Sequence, residues 1–145
     1  PSSVSNMFST ALFSVKWSSS IDWMVHPTLP AMVVTSATDF PVSNPDPMEG
    51  LEVGVTRCAP GDASEETVLD PNQRVSVEDM ICAGTINGAY QNFLEKRIGS
   101  IEVGKEADFV LMDRDITSID PHTIHEAKCL MTVIDGKTMY EKEGE

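Results

Sequence analysis

The sequence has 145 residues, of which 23 are acidic and 10 are basic, so its formal net charge is −13. A surface this acidic repels phosphate backbones and anionic lipids, and we expect neither nucleic acid nor a membrane as a partner. A hydrophobic fraction of 41% suffices for a packed core. The three cysteines, Cys58, Cys82 and Cys129, show no metal-binding spacing, and this favours reduced thiols and a cytoplasmic location.

An apolar run that ends in an acidic residue is the first informative pattern in chain order. Residues 7–15 could form a short helix or a strand, but residues 32–36 predict a buried strand. Asp39 follows that strand, and Pro41 ends any regular pairing. The carboxyl end of a parallel strand is where α/β barrels hold their catalytic groups. An Asp-containing turn would give the same pattern, so Asp39 alone decides nothing.

Two helices are predicted next. Asp46 precedes a proline, which is typical of a helix start, and apolar residues continue to about Arg57. Residues 58–74 form a polar, acidic loop of a length that often borders functional sites. Ser76 then begins a pattern similar to a capping box, and helical spacing of apolar residues predicts a helix over 77–94.

The final third of the chain predicts a small β unit. Residues 98–112 have the pattern of a short strand before Gly104 and a longer strand after it. A brief helix is predicted from Pro121 to about Ala127. The pair Asp135-Gly136 then lies between two apolar runs, and it predicts a hairpin with a type I′ turn.

Four segments of this chain also resemble a known family in order and spacing. They are Thr38-Asp39-Phe40-Pro41-Val42 with residues 44–47 and 55–57, Thr85-Ile86-Asn87-Gly88-Ala89-Tyr90, the run 99–110, and the closing run 131–140. Together they resemble the amidohydrolase superfamily, in the branch with N-substituted formamide deformylase-like members. The resemblance covers roughly residues 30–141.

The resemblance implies an α/β fold class, namely the C-terminal piece of a (β/α)8 metal-dependent hydrolase barrel followed by part of a small β-sandwich domain. Residues 1–96 would be the C-terminal part of the barrel, with its last strand at about 32–36 and its closing helix at about 77–94. Residues 97–145 would belong to the sandwich. A whole barrel needs ~250 residues, so we expect this chain to be a C-terminal portion.

The activity implied by the resemblance is hydrolysis of carbon–nitrogen bonds other than peptide bonds in a small amide-type substrate. Asp39 would be a metal ligand or metal-proximal residue and the base that takes a proton from the attacking water. The full-length enzyme would hold one or two divalent metals, usually zinc. A catalytic zinc needs about three protein ligands, and Asp39 is the only one recognisable here, so we expect the chain to be inactive alone.

The three histidines are the remaining candidate metal ligands. His26 precedes the predicted strand, whereas His122 and His125 lie three apart on a short predicted helix, where both could touch a metal or simply occupy the surface. No histidine is near a cysteine in sequence, which disfavours thiol catalysis.

We expect association with the missing barrel portion or a homo-oligomer, because sheet edges are left open. The alternative is a non-catalytic C-terminal module for assembly or partner binding.

Overall fold

The computed structural model of the protein describes residues 9–10, 35–36 and 44–143. Its α-helices occupy the first part of this range and most of its strands the second. The elements in chain order are β1 (Ser9–Thr10), α1 (Pro47–Thr56), two 3-10 helices (Glu65–Thr67 and Pro71–Gln73), α2 (Val77–Gly84), α3 (Ile86–Gln91), β2 (Phe109–Met112), a C-terminal 3-10 helix (Pro121–Glu126), β3 (Cys129–Ile134) and β4 (Lys137–Glu141). The predicted strand at 32–36 falls mostly outside the described residues, and Thr35 and Ser36 are not in a strand.

Helix α1 begins as the sequence predicts. The Asp46 carboxylate accepts a hydrogen bond from the Met48 N–H at 2.9 Å, and Pro47 occupies the first turn. The Asn44 side-chain oxygen in turn accepts from the Asp46 N–H at 3.1 Å. The helix ends at Arg57, whose backbone is left-handed (φ 62°) and whose N–H bonds to the Val53 carbonyl at 2.9 Å.

The single helix predicted over 77–94 is divided into α2 and α3 at Thr85. Ser76 caps α2 as predicted, accepting from the Asp79 N–H at 3.0 Å. The Thr85 hydroxyl, however, donates to the Ile81 carbonyl at 2.7 Å, while the Thr85 N–H bonds to the Cys82 carbonyl at 3.2 Å. The Thr85 side chain thus takes the carbonyl to which its backbone N–H would bond in an α-helix, and the helix is interrupted there. Helix α3 ends at Gln91 rather than at 94.

The sheet is antiparallel throughout and has the order β1-β2-β3-β4. Asp135 and Gly136 join β3 to β4 with φ values of 51° and 70°, so the predicted type I′ hairpin is confirmed. The short strand predicted before Gly104 is wrong. Gly104 has a φ of 96°, and the Lys105 N–H bonds to the Glu102 carbonyl at 3.1 Å, which makes this stretch a turn.

The core lies where α1 meets the C-terminal 3-10 helix. Ile124 is fully buried, and it packs in one cluster with other buried residues: Met48, Leu51, Ile116 and Ala127. Residues of α2 and the end of β2 complete this cluster from outside: Val77, Met80, Ile81 and Met112. The segment that carries His122 and His125 is therefore fixed against α1 by apolar packing.

Candidate functional site

The predicted catalytic residue, Asp39, lies outside the described residues, so its role stays a prediction. The chain on both sides of it is anchored to the helices. Before it, the Ser36 N–H bonds to the Ala83 carbonyl at 3.1 Å, near the end of α2. After it, the Asn44 side-chain amide donates to Glu49 of α1 at 2.8 Å.

A buried carboxylate is the main polar feature of the described residues. Glu52 of α1 is 0% exposed. Its Oε1 accepts from the Gly61 N–H at 2.6 Å, and its Oε2 accepts from the His125 backbone N–H at 2.8 Å and the His125 ring Nδ1 at 2.7 Å. Three donors thus satisfy one charge that would be costly to bury alone. Glu52 ties together α1, the 58–64 loop and the C-terminal 3-10 helix.

His122 holds the same loop from the same 3-10 helix. Its ring Nδ1 lies 2.8 Å from the backbone oxygen of Asp62. A carbonyl oxygen only accepts, so Nδ1 of His122 must carry the proton. The Asp62 carboxylate is itself bonded to Thr67 and to the Ser64 N–H, and these bonds, with the nearby His122, lower the pKa of Asp62. The predicted acidic loop is therefore bonded to the C-terminal part of the chain.

A catalytic metal centre is not assembled by the residues that the structure describes. Within residues 9–10, 35–36 and 44–143, no group of three or more His, Cys, Asp or Glu side chains could hold a metal ion. His122 and His125 lie on the same 3-10 helix, whereas His26 and Asp39 lie outside the described range. A catalytic zinc requires about three protein ligands, so the described residues do not fit such a site.

Sequence reasoning missed Glu52. A glutamate within an amphipathic helix normally predicts a solvated position. One available signal was the helical spacing of Glu52 with Met48 and Thr56, which lie on the buried side of α1 at four-residue steps. The pairing with His125, 73 residues later, had no signal in the sequence.

The profile described as "Amidohydrolase family" matches residues 31–140. The chain belongs to the amidohydrolase family. That range includes Asp39 as well as the helices, the turn segment and the hairpin described above, and it confirms the resemblance seen in the sequence.

Individual relatives agree with the family. The chain is 31% identical over 111 residues to N-substituted formamide deformylase of Arthrobacter pascens, a match that covers 77% of this chain and 20% of that protein. It is 40% identical over 67 residues to imidazolonepropionase of Bacteroides thetaiotaomicron, which covers 46% of this chain and 16% of that protein. The chain thus spans about a fifth of the length of the curated relatives it matches, or less.

A solved structure matches the fold. An amidohydrolase from Thermotoga maritima MSB8 superimposes with a TM-score of 0.53 and 25% sequence identity, over 77% of this chain and 24% of that one. The described part of this amidohydrolase chain is a small α/β unit with an antiparallel sheet. No helix in that part has the length and apolar character needed to cross a membrane.

Proposed function

We propose that this chain is the C-terminal portion of a metal-dependent amidohydrolase that cleaves C–N bonds in small amide-type molecules. The family match over residues 31–140 carries this proposal, because it extends through Asp39 and the strand predicted before it. The deformylase and the imidazolonepropionase support hydrolysis of a C–N bond as the reaction class. The remainder of the (β/α)8 barrel and of the β-sandwich would come from sequence outside this chain.

In this proposal Asp39 is the general base and a metal-proximal residue. Its carboxylate would take a proton from the attacking water and return it to the leaving nitrogen. A divalent metal, zinc by family resemblance, supplies an acidified water when it is bound. Its other ligands would lie outside this chain, so the chain by itself would be inactive.

Hydrolysis assays on two lengths of the protein test this function. Formamide and amide hydrolysis is measured with added Zn²⁺, first for the 145-residue chain and then for the chain extended by the sequence encoded upstream of Pro1. We expect activity only in the extended protein, where a His-x-His motif should be encoded. Asp39→Asn should then lower kcat by ~10²- to 10⁴-fold, the range of general acid–base catalysis.

The matched control is Glu66→Gln, which neutralises an exposed carboxylate of the 58–74 loop. It should leave kcat unchanged. An extended Asp39→Asn enzyme as active as this control would contradict the role of Asp39. Hydrolysis by the 145-residue chain alone would contradict the proposal that the rest of the site lies elsewhere.

A cytoplasmic location belongs to the same proposal. The three cysteines are unpaired, as expected of a reducing compartment. Fractionation of cells that express the tagged protein would test it, and recovery from the periplasm or the medium would contradict it.

Assembly is a second candidate function, favoured by the exposed end of the sheet. Every residue of β4 is exposed, and β4 is the last strand in the sheet order. Large apolar side chains are also exposed, among them Phe93 at 92%. Open edges and apolar patches favour association, either with the missing barrel portion or with a second copy of the chain. Sedimentation of the 145-residue chain at high concentration tests the homo-oligomer, and a monomer would refute it.

A further inference from the structure

We propose that His122 and His125 form a two-imidazole binding site for a late first-row divalent metal ion such as Cu²⁺, Ni²⁺ or Zn²⁺. The site lies on the C-terminal 3-10 helix, Pro121–Glu126. It uses neither Asp39 nor the proposed hydrolysis, so a failure of one proposal would leave the other unaffected.

Both histidines lie on one short helix, three residues apart. A 3-10 helix has three residues per turn, so side chains three apart are eclipsed. His122 and His125 have this spacing within one six-residue 3-10 helix. Both rings also contact consecutive parts of one loop: His122 bonds to Asp62, and His125 shares the Glu52 carboxylate with Gly61. The two imidazoles therefore face the same stretch of backbone.

Each ring is oriented by a bond from Nδ1. The acceptors are the Asp62 carbonyl at 2.8 Å for His122 and the Glu52 carboxylate at 2.7 Å for His125. Both acceptors place the proton on Nδ1, which leaves the lone pair on Nε2 when the ring is neutral. Within the described residues, neither Nε2 has a hydrogen-bond partner. Metal-binding histidines are held in the same way, with the second nitrogen bonded to a carboxylate or a carbonyl.

The surroundings admit a cation. The His125 side chain is 30% exposed, so solvent reaches the ring. Gly61 has no side chain, and a methyl group there would lie 3.6 Å from Nε2 of His125. The negative charge of the surroundings also favours a bound cation. Glu52 is a buried carboxylate, Asp62 lies near His122, and the whole chain has a net charge of −13.

The ligand chemistry limits the metal. Imidazole suits copper, nickel and zinc, whereas magnesium and calcium prefer oxygen ligands. Two protein ligands leave the remaining coordination positions to water. We therefore expect one reversible ion per chain, with Cu²⁺ bound most tightly, as in the general order of divalent affinities.

Calorimetric titration of the 145-residue chain with NiCl₂ tests the site. We expect one Ni²⁺ per chain. His122→Asn and His125→Asn each remove Nε2 but keep an amide donor near the position of Nδ1. Each should weaken binding at least as much as loss of an outer-shell partner does, ~10- to 100-fold. His26→Asn is the matched control and should bind Ni²⁺ as the wild type does.

A second measurement does not depend on the variants being folded. Long-range ¹H–¹⁵N spectra of the wild-type chain should show both rings in the Nδ1–H form, and added Zn²⁺ should shift the Nε2 signals of His122 and His125. The proposal is overturned if no ion binds, if the Asn variants at 122 and 125 bind as well as the wild type, or if His26 is the ring that responds.

Discussion

Replacement of Glu52 by glutamine tests whether a buried carboxylate joins α1 to the loop and to the C-terminal 3-10 helix. Glutamine has nearly the same shape but offers one acceptor and one amide donor. If its NH₂ takes the place of Oε1, it faces the Gly61 N–H, which in the wild type donates to Oε1 at 2.6 Å. If it takes the place of Oε2, it faces the His125 backbone N–H, which in the wild type donates to Oε2 at 2.8 Å. The ring of His125 can change tautomer, but a backbone N–H cannot.

Either orientation therefore places the buried NH₂ of the glutamine against a backbone N–H that has lost its acceptor. A hydrogen bond to a charged group contributes ~1.5–3 kcal/mol, and a buried unsatisfied donor costs a further ~1–3 kcal/mol. Together these two effects amount to ~2.5–6 kcal/mol. We expect Glu52→Gln to lower the free energy of unfolding by about this amount.

Urea unfolding followed by far-UV circular dichroism measures the effect. With an m value of ~1–3 kcal/mol/M, the midpoint should fall by at least ~1 M. Glu66→Gln, which makes the same change at an exposed position, should stay within ~0.5 kcal/mol of the wild type. A Glu52→Gln chain as stable as this control would refute the reasoning, because it would show that the three bonds contribute nothing beyond those made with water.

Gly99→Ala should destabilise the fold more than Gly104→Ala, since φ is positive at both (89° and 96°) but only Gly99 would place a methyl 2.7 Å from α3. We expect ~1–2 kcal/mol of strain at both positions and ~1–3 kcal/mol of overlap at Gly99 alone, so equal losses in thermal unfolding would argue against the close approach. Ile124→Ala should cost ~2–5 kcal/mol in the same assay, because Ile124 is fully buried; a loss no larger than that of Leu69→Ala, at a position 79% exposed, would contradict the assignment of the core. Partial burial raises the pKa of Asp113, but bonds from neighbouring donors outweigh it and hold the pKa below its ordinary 3.8. A depressed pKa stabilises the fold above the ordinary value, and that contribution is lost as pH falls through the folded value; Asp113→Asn should therefore be less stable than the wild type at neutral pH, with a difference that shrinks below pH 3.8, and a pH-independent difference would exclude the linkage.

Short-range patterns predicted several elements correctly. The Asp46 cap with Pro47, the Ser76 cap of α2 and the Asp135-Gly136 turn are all present. Each depends on residues within four positions of one another, so the local sequence contains the whole cause. The brief helix predicted at Pro121 is present too, although it is a 3-10 helix.

The predicted elements are wrong where other hydrogen bonds take the place of the backbone bonds of a helix or strand. Apolar spacing continues through Thr85, but the side chain of Thr85 takes the carbonyl that would have continued the helix. The stretch before Gly104 has strand-like residues, but it makes no strand pairing and turns at Glu102–Lys105. Periodicity reports which side chains are apolar, not which backbone groups find partners.

By itself, the sequence determined the family and the caps and turns, because these depend on residue type and short spacing, and the family resemblance implies Asp39 as the catalytic base. Only the tertiary structure decided that Glu52 is buried, that His122 bonds to a loop 60 residues earlier in the chain, and that His125 bonds to Glu52, 73 residues earlier. The reason is physical. A buried charge is tolerated only where distant backbone and ring donors converge on it, and that convergence is a product of packing around Ile124 rather than of any local pattern.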